Sequence, residues 1–206
     1  MPVIVVANPK GGVGKSTLST NIAGFYASRG YGVALGDTDP QASAELWLGL
    51  RAPTLRPIST WPGASAEVPG KPPRGLTHAV LDTHAGLASV QLKQVLKLAD
   101  KVIVPLQPSV FDIFATRAFL DELAAHRSAS SVQVGIVGMR VDERTKAAEQ
   151  WHHFVDGLGF TVLGALRDTQ NYIHLAAQGL TLFDVAPARV ARDLEQWQGI
   201  CRWLEA

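Results

Sequence analysis

A glycine-rich run near the start of the chain ends in a lysine and two hydroxyl residues. It stands between an apolar stretch and a helical pattern and reads Lys10-Gly11-Gly12-Val13-Gly14-Lys15-Ser16-Thr17. Glycines let successive backbone N–H groups converge on phosphate oxygens, and the ammonium of Lys15 adds a positive charge beside the β- and γ-phosphates. The hydroxyl of Ser16 is a suitable ligand for Mg²⁺. The run therefore predicts a nucleoside triphosphate site in which these eight residues bind the phosphates.

Three aspartates follow two further apolar stretches. Asp37 and Asp39 come after the first stretch, and Asp82 closes the second. Two acids separated by one residue at the end of a strand point to the same side, and the carboxyl ends of parallel strands line the crevice where open α/β sheets bind ligands. We expect Asp37 and Asp82, together with Ser16, to hold Mg²⁺. Taken alone, an Asp-x-Asp-Pro turn is more typical of helix capping. The presence of the glycine-rich run in the same chain favours a metal-binding role instead.

Short apolar stretches recur along the chain with helical patterns between them. The stretches predict six strands, at residues 3–7, 32–35, 79–81, 102–104, 134–137 and 161–163. The helical patterns cover residues 18–29, 89–98, 113–126 and 147–158. Continuously apolar strands are typical of a parallel sheet that is buried on both faces. The order therefore predicts an α/β fold, an open, doubly wound, mostly parallel sheet with helices on both faces.

One segment, residues 51–75, breaks this alternation. It contains six prolines and Trp61. Because proline removes a backbone donor and fixes φ, the composition predicts an extended surface loop. A loop that docks a partner or borders a dimer interface is an alternative that the sequence leaves open.

Composition limits the class of protein. A chain of 206 residues with 47% hydrophobic residues and a net charge of +1 predicts one globular domain over residues 1–206, without a general attraction for nucleic acid or anionic lipid. The N-terminus lacks the basic flank of a secretory signal, and no apolar run approaches the roughly 20 residues that span a bilayer. We therefore expect a cytoplasmic protein without integral membrane association. The lone Cys201 excludes an internal disulfide and a multi-cysteine metal site within the chain.

The glycine-rich run departs from the usual G-x-x-x-x-G-K-[ST] pattern. Pro9 stands where the first glycine would be, and an extra lysine follows at Lys10. In this respect the run resembles the deviant Walker A motif of the ParA/MinD group of P-loop ATPases. The resemblance implies that Lys10 reaches across a dimer interface to the nucleotide of a second copy, so that ATP with Mg²⁺ favours a homodimer. It also implies that Lys10 and Lys15 are catalytic.

Residues 37–41 read Asp-Thr-Asp-Pro-Gln and resemble the D-x-D-P-Q segment of ParA-type proteins. The resemblance implies that Asp37 lies in the hydration shell of Mg²⁺ and that Asp39 is catalytic, because it positions the attacking water. Asp82 matches the Walker B carboxylate. His84 departs from the family, whose members usually continue with prolines or a glycine-rich turn after this carboxylate. The histidine either tunes the site or forms a hydrogen bond within its loop.

Weaker similarities to the same family follow. Residues 102–112 resemble its strand and P-x-x-x-D turn, which ends at Asp112, and residues 179–184 match its closing segment. By the same resemblance, four residues border the adenine: Met139, Arg140, Arg167 and Asp168. Arg140 is equally suited to a surface ion pair.

The resemblance implies a ParA-like ATPase, a dimerising switch with weak ATP hydrolysis that segregates DNA or positions a protein cargo. It further implies sequence-independent binding to duplex DNA, stimulation by a small ParB-like or cargo-adaptor protein, and a place in the cytoplasm and at the nucleoid. The charge does not support DNA binding, because residues 117–206 hold nine Lys and Arg against eleven Asp and Glu. Arg189 and Arg192, three apart on a predicted helix, are the best local candidates for phosphate contacts.

Other kinds of P-loop protein are alternatives. A membrane-associated, MinD-like regulator would need a lipid-facing C-terminal helix, and that helix carries an apolar stripe of Leu194, Trp197, Cys201 and Leu204. Asp193 and two glutamates flank the stripe, whereas lipid-binding helices usually carry Lys and Arg, so packing on the protein core is favoured. An iron–sulfur reductase of the nitrogenase iron-protein kind needs two cysteines and is excluded. A metabolic ligase or synthetase on the same fold stays open.

Overall fold

The computed structural model describes residues 1–65, 69–87, 89–127 and 131–206. Within these residues, seven strands form one sheet in the order β3-β2-β4-β1-β5-β6-β7. All pairings are parallel. The strands are β1 Val3–Val6, β2 Val33–Asp37, β3 Ser59–Thr60, β4 His78–Asp82, β5 Lys101–Leu106, β6 Gln133–Met139 and β7 Thr161–Leu166. All six strands predicted from the sequence are present, and β3 is an addition at one edge.

Helices connect the strands. They are α1 Lys15–Ser28, α2 Ser43–Leu50, α3 Ser89–Leu96, α4 Val110–Arg127, α5 Lys146–Asp156, α6 Gln170–Ala176 and α7 Ala191–Glu205, with 3₁₀ helices at Leu182–Asp184 and Pro187–Arg189. The first helix begins at Lys15, earlier than its apolar pattern predicts, because Gly14 directly before it adopts a left-handed φ of +96° and ends the loop there. The short helices α2 and α6 were not predicted.

Successive residues of β1 enter two hydrophobic clusters on opposite faces of the sheet. Ile4 and Val6 belong to a cluster with residues of α1, α2 and α7, whereas Val3 and Val5 belong to a cluster with residues of α3, α4 and α5. The fold class predicted from the sequence is therefore confirmed. The apolar stripe of α7 packs in the first cluster, where Trp197 is fully buried. Among the described residues, no helix combines the length and apolar character needed to cross a membrane.

The described residues of the proline-rich segment are mostly exposed and irregular, and they also include a short strand and a buried tryptophan. Within it, β3 pairs with Ala34 and Leu35 of β2, and Trp61 is only 3% exposed. The indole N–H of Trp61 donates to the carbonyl of Gly70 at 3.1 Å, so the large side chain is buried with its polar atom paired. The segment covers the β2 edge of the sheet, and its residues 66–68 lie outside the described part. Its role in docking or dimerisation stays a prediction.

A buried ion pair ties the start of this segment to the closing segment of the chain. Arg51 makes two hydrogen bonds to the carboxylate of Asp184, at 2.7 and 2.9 Å, and both side chains are 5% exposed. Burial alone would raise the pKa of Asp184, but donors from Arg51 and Thr181 hold it below its ordinary value. Leu182 donates its N–H to Asn21 of α1 at 3.1 Å. The ion pair therefore helps to hold α1 in place.

Replacing Arg51 with Met should lower the free energy of unfolding by about 3–5 kcal/mol, because the charge of Asp184 would stay buried without its partner. The loss should shrink in acid. The pKa of Asp184 is lowered by folding, so the contribution of the pair is present above the unfolded pKa and disappears as the pH falls through the folded pKa. Urea denaturation at several pH values measures both effects.

The control for this experiment is Arg144→Ala, which removes an exposed ion pair with Asp142. Exposed pairs contribute little to stability, so this variant should unfold like the wild type. If Arg51→Met also unfolded like the wild type, the buried pair would not be the tie described above.

Candidate nucleotide site

The glycine-rich loop joins β1 to α1 at the carboxyl edge of the sheet, and the eight residues predicted to bind phosphates span the loop and the first turn of the helix. β1 is paired with β4 on one side and with β5 on the other. Gly12 and Gly14 have φ values of +74° and +96°, which residues with a side chain rarely adopt. No side chain caps α1 at Gly14. The first N–H groups and the positive end of the helix dipole therefore face the loop, an arrangement that binds phosphate.

A buried asparagine that the sequence analysis did not identify holds this loop. The amide of Asn8 donates to the carbonyl of Pro105 at 2.7 Å and to the hydroxyl of Thr116 at 3.1 Å. Its oxygen accepts the N–H of Lys10 at 2.8 Å. The available signal was a polar residue directly after an apolar strand. Its partners on β5 and α4 are 97 and 108 residues away along the chain, so that signal does not show what the side chain does.

Lys15 lies inside the loop rather than in solvent. Its ammonium donates to the carbonyl of Lys10 at 2.7 Å, and the residue is 7% exposed. Burial lowers the pKa of Lys15, and the negative charges of Asp82 and Asp39 oppose this effect. The ammonium is thus close enough to both carboxylates to be stabilised by them.

Asp37 and Asp82 end neighbouring strands and face each other in the register of β2 and β4. They are 6% and 1% exposed. Burial, with a smaller contribution from the charge of Asp37, raises the pKa of Asp82 to about 7. Hydrogen bonds from Ser16 and Ser19 oppose this rise. The hydroxyl of Ser19 lies 3.1 Å from the Asp82 carboxylate. The sequence analysis missed Ser19, which looks like an ordinary helix residue until β4 is placed beside α1.

The hydroxyl of Ser16 and the carboxylates of Asp37 and Asp82 form a set of oxygen ligands that suits Mg²⁺. The ion is usually held by one or two carboxylates, while phosphate and water oxygens complete its octahedron. Ser16, Asp37 and Asp82 fit this description, because a divalent cation would neutralise two carboxylates that the protein buries side by side. No group of three or more His, Cys, Asp or Glu residues in the described ranges could hold a metal by itself. A metal here would depend on the nucleotide for further ligands.

Asp37 also caps a helix. Its two carboxylate oxygens accept the N–H of Asp39 at 2.8 Å and the N–H of Ala44 at 2.7 Å. Ala44 lies in the first turn of α2, whose N-cap residue Ala42 provides no side-chain cap, so Asp37 satisfies one free N–H of the helix from outside the N-cap position and is oriented by it. Asp39 is half-buried and accepts the N–H of Gln41 at 2.9 Å. The roles of the two aspartates toward metal and water stay predictions.

Lys10 extends toward α4 of its own chain. Its Nζ lies 3.3 Å from the carboxylate of Asp112, and the lysine side chain is 39% exposed. Asp112, which ends the predicted P-x-x-x-D turn, lies in the first turn of α4. Three large apolar side chains of the same helix end are exposed: Val110, Phe111 and Phe114. The lysine predicted to act across a dimer interface therefore adjoins exposed apolar surface.

The four residues predicted to border the adenine lie at the carboxyl ends of β6 and β7. Met139 packs against the glycine-rich loop, since a Cβ atom on Gly14 would lie 2.6 Å from its methyl carbon. Arg140 follows it with a left-handed φ of +54°, and its side chain is exposed. Asp168 is also exposed. The structure thus brings Met139 to the phosphate loop and leaves the base-binding roles as predictions.

Arg167, one of the residues predicted to border the adenine, pairs with a buried aspartate of α7. Its Nε donates to Asp193 at 2.7 Å, and the side chain of Asp193 is fully buried. Asn171 donates to the second carboxylate oxygen at 2.6 Å. The guanidinium and the amide replace the hydration of this buried carboxylate, a role that its place beside the α7 stripe in the sequence does not show. The cluster ties α7 to the end of β7, beside the predicted adenine position.

Arg189 and Arg192 are exposed, as phosphate contacts would require. They do not share a helix as predicted. Arg189 ends a 3₁₀ helix and Arg192 lies in the first turn of α7, because Val190, with φ −128°, interrupts helical geometry between them. Their DNA-binding role stays a prediction.

Comparison with known proteins agrees with this geometry. The profile of the family described as CobQ/CobB/MinD/ParA nucleotide binding domain matches residues 4–183. The maintenance of carboxysome distribution protein A of Halothiobacillus neapolitanus is 26% identical over 200 residues, which cover 92% of this chain and 91% of that protein. The chromosome-partitioning ATPase Soj of Thermus thermophilus is 28% identical over 78% of this chain and 80% of that protein.

Solved structures share the fold. An ATP complex of a McdA variant from Cyanothece has a TM-score of 0.73 at 15% identity, over 97% of this chain and 96% of that chain. The cell division protein MinD of Aquifex aeolicus has a TM-score of 0.74 at 18% identity, over 100% and 97%. These likenesses confirm the predicted P-loop NTPase fold, and the profile match spans most of the chain. The chain therefore belongs to the CobQ/CobB/MinD/ParA family of nucleotide-binding domains.

Proposed function

We propose that this chain is a partition or positioning ATPase that binds ATP with Mg²⁺, pairs with a second copy, and separates after hydrolysis to ADP and phosphate. One observation carries the proposal. The glycine-rich loop, the ammonium of Lys15 and the buried carboxylates of Asp37 and Asp82 meet at one point of the sheet edge. Relatives named for chromosome partitioning and for carboxysome distribution support an output of DNA segregation or cargo positioning.

The chemistry is divided among few groups. Backbone N–H groups of the loop and the ammonium of Lys15 neutralise the phosphates. Ser16, Asp37 and Asp82 would hold Mg²⁺, which adds positive charge beside the β- and γ-phosphate oxygens. Asp39 accepts a hydrogen bond from the attacking water and orients it. Phosphoryl transfer depends mainly on positioning and charge neutralisation, so these groups suffice for slow turnover.

Lys10 makes the proposed site dependent on a second copy. Its own partner is Asp112, in a partly exposed pair of a kind worth about 0–1 kcal/mol. A triphosphate carries more negative charge than one carboxylate, so the nucleotide of a facing copy can replace Asp112. Facing copies would also cover Phe111 and Phe114, which are 81% and 72% exposed. Contiguous exposed apolar surface of this kind is typical of an interface.

In the proposed function, the ATP-bound pair of copies is the form that binds DNA and a cargo or adaptor protein. We propose duplex DNA as the track, contacted without sequence preference by Arg189 and Arg192 of both copies, and a small ParB-like or cargo-adaptor protein that stimulates hydrolysis. The chain would then act in the cytoplasm and on the nucleoid. A MinD-like attachment to lipid has less support, because the apolar stripe of α7 is packed into the core, where Trp197 is fully buried.

Lys15→Gln should weaken the binding of a fluorescent ATP analogue about tenfold or more and abolish phosphate release, because a neutral amide leaves the phosphates poorly neutralised. Titration in the presence of Mg²⁺ measures the affinity. Lys97→Gln, at an exposed lysine of the α3–β5 connection, is the control and should behave like the wild type. If the Lys15→Gln variant kept the affinity and turnover of the wild type, the glycine-rich run would not be the phosphate-binding loop.

Lys10→Ala should keep nucleotide affinity within about twofold while reducing the ATP-dependent increase in mass and the hydrolysis rate, because its ammonium serves the other copy. Light scattering with a non-hydrolysable ATP analogue measures the mass. Phe111→Glu should reduce pairing through the adjoining surface, whereas Ile173→Glu, at an apolar residue that is 59% exposed on α6, is the matched control. A Lys10→Ala variant that pairs like the wild type would make Lys10 an ordinary loop lysine.

Binding to duplex DNA should appear with ATP and not with ADP, because only pairing brings two copies of Arg189 and Arg192 into one patch. Four phosphate contacts predict a slope of roughly −3 to −4 for the logarithm of affinity against the logarithm of salt concentration. Fluorescence anisotropy on two unrelated duplexes measures it. Arg189→Glu/Arg192→Glu should abolish binding, and Arg144→Glu, at an exposed arginine elsewhere, should not. Binding that survives the double reversal would place the DNA contact on another surface.

A further inference from the structure

His84, the residue that departs from the family pattern, bridges the two loops that follow Asp37 and Asp82. Its backbone N–H donates to the hydroxyl oxygen of Thr38 at 3.0 Å, and its Nδ1 lies 3.2 Å from the same oxygen. Both residues are half-buried. A threonine hydroxyl accepts one hydrogen bond and takes part in a second at the same time, so Thr38 satisfies both contacts. The predicted hydrogen bond of His84 is present, with Thr38 of the neighbouring loop as its partner. A role in tuning the site stays a prediction.

The loop of His84 is itself fixed to the glycine-rich loop and to β1. Gly86 donates its N–H to the carbonyl of Pro9 at 2.8 Å. The hydroxyl of Thr83 donates to the carbonyl of Val6 at 2.9 Å. His84 therefore stands on a segment anchored beside the phosphate loop, and its imidazole extends from there to Thr38.

Thr38 precedes Asp39, the carboxylate proposed to orient the attacking water. The backbone of this short segment is held on both sides of Thr38. Thr38 donates its N–H to the carbonyl of Asp82 at 3.0 Å, and Asp39 donates its N–H to Asp37 at 2.8 Å. Within the described residues, the hydroxyl of Thr38 forms its hydrogen bonds with His84 alone. The rotamer of Thr38 thus depends on the histidine.

Packing alone does not hold the bridge. A cavity of about 250 Å³ adjoins it, and its lining includes both Thr38 and His84 together with Pro40 and Leu87. Close packing holds a side chain in one rotamer, and a side chain beside a cavity has fewer neighbours that do so. The imidazole contact therefore adds to the backbone N–H of His84 in orienting the Thr38 hydroxyl, while the backbone of the segment has its own bonds to Asp82 and Asp37.

We propose that His84 is a positioning residue, which acts through Thr38 to hold Asp39 in the geometry that orients the attacking water. The inference rests on the proposed function, because it assigns a role within ATP hydrolysis. His84 need not touch the nucleotide. Its loss should therefore slow the chemical step and leave nucleotide affinity unchanged, since the phosphate loop keeps its own anchors.

The test compares steady-state ATP hydrolysis by full-length variants. His84→Ala removes the imidazole contact but keeps its backbone N–H, and should lower kcat about three- to tenfold with KM within about twofold, as expected for one hydrogen bond. Thr38→Val, which has nearly the same shape, should lower kcat at least as much. His84→Asn and Thr38→Ser preserve groups able to form the bridge and should restore most of the rate. His152→Ala, at an exposed histidine of α5, is the control.

A double variant separates this role from a general effect on folding. If the imidazole acts through the Thr38 hydroxyl, His84→Ala should have no further effect on kcat in a Thr38→Val chain, because the contact is already absent. Additive losses, an unchanged kcat in His84→Ala, or no rescue by His84→Asn would each overturn the inference while the proposed ATPase stands. A folded wild-type chain without any turnover would overturn the proposed function and this inference together.

Discussion

Asp82 is a carboxylate that the fold removes almost entirely from water. Burial raises its pKa to about 7, and a desolvated charge is costly unless donors or a cation compensate for it. The hydroxyl groups of Ser16 and Ser19 and the charge of Lys15 stabilise the charged carboxylate and so lower its pKa. All three residues lie on the first two turns of α1. The placement of α1 against β4 therefore decides how well this carboxylate is supported, and the remaining features of the site depend on it.

Several distant parts of the chain maintain that placement. The closing segment fits against α1 closely, since a Cβ atom on Gly24 would lie 2.4 Å from the hydroxyl oxygen of Thr181. Two residues further along the helix, Tyr26 donates to the carbonyl of Leu204 of α7 at 3.1 Å. Because these contacts act on a single rigid helix, disturbances in the last third of the chain should reach the phosphate loop.

Features with local causes could be predicted from the sequence, and features with distant causes could not. The strands follow from short apolar runs, and the phosphate loop follows from glycines that must adopt positive φ. Asn8 and Ser19 carry no such signal, because their importance comes from partners 63 to 108 residues away. Asp193 has the sequence surroundings of a surface residue, and Arg167 makes it internal. The strand β3 is too short for any pattern, and its segment is held in place by the burial of Trp61.

Cooperation between metal and nucleotide is the most direct consequence of burying Asp37 beside Asp82. If these carboxylates hold Mg²⁺ against the phosphates, the metal and the nucleotide must each strengthen the binding of the other. Isothermal titration calorimetry of the wild-type chain with a non-hydrolysable ATP analogue should therefore show affinity that increases about tenfold or more when EDTA is replaced by Mg²⁺. Equal affinity in the two conditions, or no binding in either, would contradict the site described here.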